Sequence, residues 1–224
     1  MQYIFITGTD TDCGKTYITR QLVSFLRKKG HNVLGLKPVA SGVPYNGASD
    51  ISALEAANSP DLRSINYFAW PEPIAPHIAA KKHGIKLSAK EIASFCQSDV
   101  FKDTEYLLIE GAGGLMMPLN YQETWLDVIR YLEAEVIFVV GMKLGCLNHT
   151  LLSFECLRHY NINCRGWIAN CLDPDMLELE ENILTLRQML PAPCLAINQW
   201  EAQLDESFMN MGYTFFFKQT SVTL

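Results

Sequence analysis

Two hydrophobic periods alternate along this chain. Tyr3, Ile4, Phe5 and Ile6 form a continuous apolar run rich in β-branched and aromatic side chains, which predicts a strand covered on both faces. A polar stretch, Thr9 to Cys13, leads through Gly14-Lys15-Thr16 into Ile18, Leu22, Phe25 and Leu26 at helical spacing. Lys28, Lys29 and Gly30 close that helix. Asn32 to Lys37 predicts a second strand, which stops where Pro38 removes a backbone donor. A loop of small residues follows: Val39, Ala40, Ser41, Gly42, Pro44, Asn46 and Gly47. It delivers Ser49-Asp50 to the front of a helical segment, Ile51 to Ala57. Residues 59–86, rich in proline and aromatics, read as irregular structure packed on the domain surface.

The alternation then resumes. Ser88 to Asp99 opens with a Ser-x-x-Glu capping pattern and predicts a helix. Tyr106 to Ile109 is a third strand, ending in Glu110-Gly111-Ala112-Gly113-Gly114. Thr124 to Leu132 is an amphipathic helix that Thr124 and Asp127 can cap, and Glu135 to Val140 is a fourth strand. A loop, Gly141 to His149, turns into a helix running to about Tyr160. Arg165 to Asn170 is a fifth strand, Met176 to Leu190 a helix and Pro193 to Ile197 a short sixth strand. The aromatic tail, Tyr213 to Phe217, fits an edge strand or packed coil. Strands alternating with helices predict an α/β fold with a doubly wound, mainly parallel sheet flanked by helices, in one domain spanning residues 1–224.

Composition narrows the partners. A chain of 224 residues, 49% hydrophobic, can build one sizeable core, and a net charge of −6 with no long basic run argues against nucleic acid. The seven cysteines are odd in number, scattered and never in Cys-x-x-Cys spacing, so they suggest neither a disulfide framework nor a zinc site. Reduced thiols in a cytoplasm are the simplest reading. The longest apolar run, Val136 to Met142, is too short to span a bilayer.

The chemistry starts at Gly8. Strand, Gly-flanked loop, Gly14-Lys15-Thr16 and helix follow the plan of a phosphate-binding loop, in which backbone N–H groups and a helix N-terminus meet an anion. Lys15 would reach the terminal phosphates and the Thr16 hydroxyl would ligate Mg²⁺. Five residues, one more than the standard pattern, separate Gly8 from Gly14. Glu110, at the carboxyl end of a strand and followed by glycines, sits where such folds place a Mg²⁺-holding acid. Asp50 fits either a helix cap or a functional carboxylate. His149 reads as a structural residue.

In order and spacing these segments resemble the dethiobiotin synthetase family. The matches are Gly8 to Thr16, Lys37-Pro38-Val39-Ala40-Ser41-Gly42, Pro76-His77, Glu110 to Gly114, Pro118-Leu119, Lys143 to His149 and Gly166-Trp167-Ile168-Ala169-Asn170. The longer phosphate loop is what this family looks like. The resemblance implies a P-loop NTPase-like fold and an ATP-dependent carboxylase that closes 7,8-diaminopelargonate with CO₂ to a cyclic urea, through a carbamate and a carbamic-phosphoric anhydride. It implies Lys37, Lys15 and Thr11 at the reacting groups. Ser41 would contact the substrate, and Gly145, Cys146, Leu147 and Asn148 from a partner subunit of a homodimer would hold its carboxylate. The nucleotide would lie against Asp12, Cys13, Gly14, Lys15, Thr16, Tyr17, Asp50, Glu110, Gly111, Ala112, Gly113, Asn170 and Cys171, with Thr16, Asp50 and Glu110 around Mg²⁺.

One segment departs from the family. Where relatives carry Ile-Pro-Trp after the last strand, this chain has Asn198-Gln199-Trp200, with Asp205 or Glu206 as the acid that follows. The competing reading is a switch ATPase of the ParA or MinD type. Such proteins usually carry another lysine early in the phosphate loop, where this chain has Thr9 to Asp12. A small-molecule kinase would bring an arginine-rich lid, and no segment of that kind is present.

Overall fold

The computed structural model describes residues 1–47, 49–61 and 63–199. Its main sheet has six strands: β1 (Gln2–Gly8), β2 (Val33–Leu36), β5 (Tyr106–Glu110), β6 (Glu135–Met142), β7 (Cys164–Cys171) and β8 (Cys194–Asn198). They lie in the order β2-β5-β1-β6-β7-β8, and every pair is parallel. The doubly wound fold expected from the alternation is the one observed.

Strand geometry sends alternate residues to opposite faces. Ile4 and Ile6 of β1, with Ile137 and Val139 of β6, pack beneath Ile18, Leu22, Val23 and Leu26 of α1 (Lys15–Lys28). Phe5, Phe138 and Trp167 face the other way. There they meet α4 (Ala89–Cys96), α5 (Trp125–Leu132), α6 (Cys146–His159) and α7 (Leu179–Met189). Two apolar layers thus hold the sheet rigid from both sides, which fixes the loops at its carboxyl edge.

Several ends form as the local chemistry dictates. Gly30, at φ 90°, closes α1; its N–H donates to the Arg27 carbonyl and that of His31 to Leu26, the paired bonds of a Schellman stop. Thr124 and Asp127 make the expected capping box on α5. At the β2 edge, the Asn58 amide replaces a missing strand: its Oδ1 accepts from Gly35 N at 2.9 Å and its Nδ2 donates to Gly35 O at 2.8 Å.

Four expectations need correction. The small-residue loop after Pro38 begins with a strand, β3 (Val39–Ser41), and residues 59–86 contain β4 (Phe68–Trp70) and α3 (Pro76–Lys82). β3 and β4 pair in parallel as a separate two-stranded sheet; three residues are too few to show a period. Ser88 makes no side-chain cap on α4, and the Glu91 carboxylate, the other half of the expected pattern, accepts from the Tyr67 hydroxyl at 2.8 Å, with Tyr67 stacked on Phe95. The last helix starts later than Met176, at Leu179. The aromatic tail lies outside the described residues, as do Trp200, Asp205 and Glu206.

Candidate active site

β1 and α1 are joined by a loop in which Asp12 (φ 60°) and Gly14 (φ 88°) are both left-handed, turning successive N–H groups to one side as an anion nest. A Cβ on Gly14 would stand 1.9 Å from Asn170 Nδ2, so glycine is required by contact as well as by φ. Cys13 is fully buried against Gly8 and Gly141, and a Cβ on either would overlap it. Its thiol anchors the loop to the sheet, and its carbonyl accepts from Asn170 Nδ2 at 2.9 Å. Lys15, also buried, donates to the Asp10 carbonyl at 2.7 Å.

Strand order brings the remaining charged groups to this loop. β5 lies beside β1 and β2 beside β5, so Glu110 and Lys37 converge on Thr16 from segments distant in sequence. Glu110 is 0% exposed. Its Oε1 accepts from Thr16 Oγ1 at 2.6 Å and from Lys37 Nζ at 2.6 Å. Lys37 Nζ also pairs with Asp50 Oδ2 and lies 3.4 Å from Thr16 Oγ1. Ser49 caps α2 (Asp50–Asn58) with Ser52, so the cap role open to Asp50 is filled by its neighbour and its carboxylate serves the cluster.

Charge keeps Lys37 and Asp50 ionised. Burial works against the Lys37 ammonium, but Glu110 and Asp50 outweigh it and hold its pKa above the usual lysine range. For Asp50, burial raises the pKa and Lys37 more than reverses it, leaving the carboxyl below its ordinary value. Glu110 Oε2, buried in the same cluster, has no hydrogen-bond partner.

Other anticipated residues take distinct places. Ser41 ends β3 opposite Trp70. Gly111 donates its N–H to Ile6 O, Ala112 O accepts from Trp125 Nε1 at 2.8 Å, and Gly113 (φ 68°) turns the loop. Tyr17 is half-buried in α1, and Cys171 is buried at the end of β7 beside Asn170. Thr11 faces a cavity of about 490 Å³ between the phosphate loop, Gly113 to Met117 and the α6 residues His149, Leu152, Ser153 and Cys156. Gly145 (φ 96°) starts α6 and Asn148 is exposed; Leu147 is half-buried, and Cys146 is buried with its N–H bonded to the Lys143 carbonyl. The Cys146 side chain is therefore closed to a ligand.

Four supporting residues escaped sequence reasoning. Lys143 pairs with Asp10 at 2.6 Å, which raises the lysine pKa. Asn66 donates to the Lys37 carbonyl at 2.7 Å, Trp125 braces the glycine loop, and Asn198 donates to Asn170 Oδ1 at 2.7 Å. Lys143 stood inside a matched motif, and Asn198 was visible as a departure from one; Asn66 and Trp125 had no signal.

A family model described as an AAA domain matches residues 2–207. The chain is 45% identical over 210 residues to the ATP-dependent dethiobiotin synthetase BioD of Legionella pneumophila (strain Paris), covering 92% of this chain and 97% of that protein. It is 45% identical over 199 residues to the BioD of Cellvibrio japonicus, covering 86% and 87%. Among solved structures, the septum site-determining protein MinD of Pyrococcus horikoshii superposes with a TM-score of 0.53 at 18% identity, covering 94% of this chain and 86% of that one. Chloroplast FtsY of Physcomitrella patens gives 0.54 at 19%, and this chain spans 64% of that protein's length. At such identities the two structures speak for the fold alone.

Proposed function

We propose, from the premise that this chain belongs to the ATP-dependent dethiobiotin synthetases, that Lys15, Lys37, Thr16, Asp50 and Glu110 form its phosphoryl-transfer centre. The enzyme is an ATP-dependent cyclo-ligase forming dethiobiotin. One amine of diaminopelargonate adds to CO₂ and loses a proton, giving a carbamate. A carbamate oxygen bonds to the γ-phosphorus as the bond to ADP breaks; the second amine then attacks the carbonyl carbon, loses its proton and expels phosphate.

The carbamate and the γ-phosphate it attacks are both anions, so the site must neutralise charge. The observation that carries the assignment is Lys37 Nζ, 2.6 Å from a fully buried carboxylate at the foot of the phosphate loop. Its raised pKa keeps it protonated, which suits it to hold carbamate and γ-phosphate oxygens and unsuits it as a base. Lys15 performs the same service from α1, where the loop N–H groups receive the β-phosphate. Ser41 and Thr11 lie on segments flanking the centre and are assigned to the diamine and its carbamate.

Two lysines set against two carboxylates leave no net positive charge for a polyanion such as ATP. A divalent cation resolves this, and the donors fit Mg²⁺: two carboxylates and a hydroxyl, with Glu110 Oε2 lacking any other partner. Mg²⁺ bound there would neutralise phosphate charge. Gly145, Leu147 and Asn148 at the start of α6, beside the 99% exposed Leu144, support a homodimer in which one subunit offers N–H groups to the substrate carboxylate of the other. All seven cysteines are free, which supports a reducing, cytoplasmic setting; no described helix is long and apolar enough to cross a membrane.

The test is phosphate release from MgATP with bicarbonate, with and without diaminopelargonate, alongside Lys37→Ala. Release that needs the diamine and collapses with dethiobiotin formation in the variant supports the reading. Release indifferent to the diamine would move the chain to the switch ATPases.

A further inference from the structure

Beyond the phosphates, the site contains a row of amides whose orientation the chain itself dictates. The Cys13 carbonyl is an acceptor only, so Asn170 must turn its NH₂ towards it, at 2.9 Å. Asn170 Oδ1 then faces Asn198, its register partner on β8, which must answer with its own NH₂ at 2.7 Å. The row ends on Asn198 Oδ1, an acceptor in a side chain only 6% exposed and without a hydrogen-bond partner. Neither amide can flip without setting oxygen against oxygen. A buried acceptor left bare is unfavourable unless something donates to it.

We infer that Asn198 is a base-selecting residue: its Oδ1 accepts from the exocyclic amine of the nucleotide, favouring 6-amino over 6-oxo purines. The inference rests on the ATP-dependent reading above. A nucleotide held by its phosphates at α1 has two ways to run along the carboxyl edge of the sheet. Towards β5 and β2 the way is filled by Lys37, Asp50 and Glu110. Towards β7 and β8 it meets Asn170 and Asn198, neutral amides suited to a neutral base. A 6-oxo group would bring a second acceptor to Asn198 Oδ1, and the tie through Asn170 to Cys13 bars Asn198 from turning its NH₂ outward. Because Cys13 belongs to the phosphate loop, base selection is tied to the same backbone that receives the phosphates.

The probes are ATP, ITP, which differs from ATP at position 6 and its neighbouring ring nitrogen, and purine riboside triphosphate, which has no 6-substituent. Each is measured in dethiobiotin formation and in competition binding against a fluorescent ATP analogue. For the unaltered protein we expect ITP to be about 10- to 100-fold poorer than ATP in both kcat/KM and Kd, with purine riboside triphosphate between them. Asn198→Leu should bring ATP and ITP within about threefold, chiefly by improving ITP. Equal use and binding of ATP and ITP by the unaltered protein would overturn the inference, as would an unchanged ratio in a folded Asn198→Leu. Should the variant not fold, the nucleotide series on the unaltered protein decides. If no dethiobiotin forms from ATP, the proposed function fails, and the binding arm still decides the role of Asn198.

Discussion

Replacing Lys37 with Met separates what this lysine does for the fold from what it does for the reaction. Met keeps most of the volume and removes the charge, leaving Glu110, which is fully buried, facing no ammonium. Breaking a buried pair from one side costs about 3–5 kcal/mol, because the remaining charge is uncompensated. The Asp50 side chain is 56% exposed, so loss of its pairing contributes under about 1 kcal/mol. Lys37→Met should therefore lose about 3–5 kcal/mol, most of it through Glu110.

Neutralising Glu110 as well should recover much of that loss. Lys37→Met with Glu110→Gln removes both buried charges and retains an acceptor for the Thr16 hydroxyl, so the pair should lie about 2 kcal/mol or more above the sum of the single changes. Urea unfolding monitored by fluorescence, with EDTA present to exclude divalent cations, gives the three stabilities against the unaltered protein. Dethiobiotin formation should be absent from both Lys37 variants, whatever their stability. A Lys37→Met protein within about 1 kcal/mol of the unaltered one, or strict additivity in the double variant, would refute the reasoning.

Three further outcomes are expected. Asn58→Ala should lower stability by about 2–4 kcal/mol in urea, since it strands the N–H and carbonyl of Gly35 at a buried edge. The raised Lys37 pKa means that its charge, and the stability it contributes, is fully present below the ordinary lysine value and lost only as pH climbs through the raised one; the lowered Asp50 pKa means the opposite limb begins only below its ordinary carboxyl range. The kcat profile should accordingly show no Lys37 ionisation between about pH 7 and 9.5, and an alkaline limb in that window that moves in Lys37→Arg would contradict this. Burial pushes the Cys96 and Cys164 thiols up to about 12, so iodoacetamide at about pH 8 should leave both unlabelled in the native protein and label both in urea, as read by mass spectrometry.

The sequence disclosed most where a local pattern has a single physical solution. Tyr3 to Ile6, Glu135 to Val140 and the spacing of Ile18, Leu22 and Leu26 each predicted the element that is found, because burial on both faces or on one helical face leaves little choice. β3 and β4 were hidden because each has three residues and exists only by pairing with the other. Ser88 shows how a local rule fails: it makes no side-chain cap, and the Glu91 carboxylate accepts from Tyr67, a residue 24 positions away. Site residues followed the same division. Lys15 and Thr16 could be read from the loop, whereas the joining of Lys37 to Glu110, 73 positions apart, needed the strand order.

That strand order also explains why the site has two chemically different halves. The chain leaves β1 through the phosphate loop, runs to β2, returns through β5 and crosses to β6, placing β1 at the point where the winding reverses. Residues at the carboxyl ends of β5 and following β2 therefore reach the loop from one side, and these are the charged Glu110 and Lys37. Residues ending β7 and β8 reach it from the other, and these are Asn170 and Asn198, joined to Cys13. A substitution in the charged half should change how fast phosphate is transferred, with the base preference intact. A substitution at Asn198 should change which base is accepted while Lys37, Asp50 and Glu110 keep their pairing. The two effects should be nearly additive when combined, because the loop between them is clamped to the sheet by the buried Cys13.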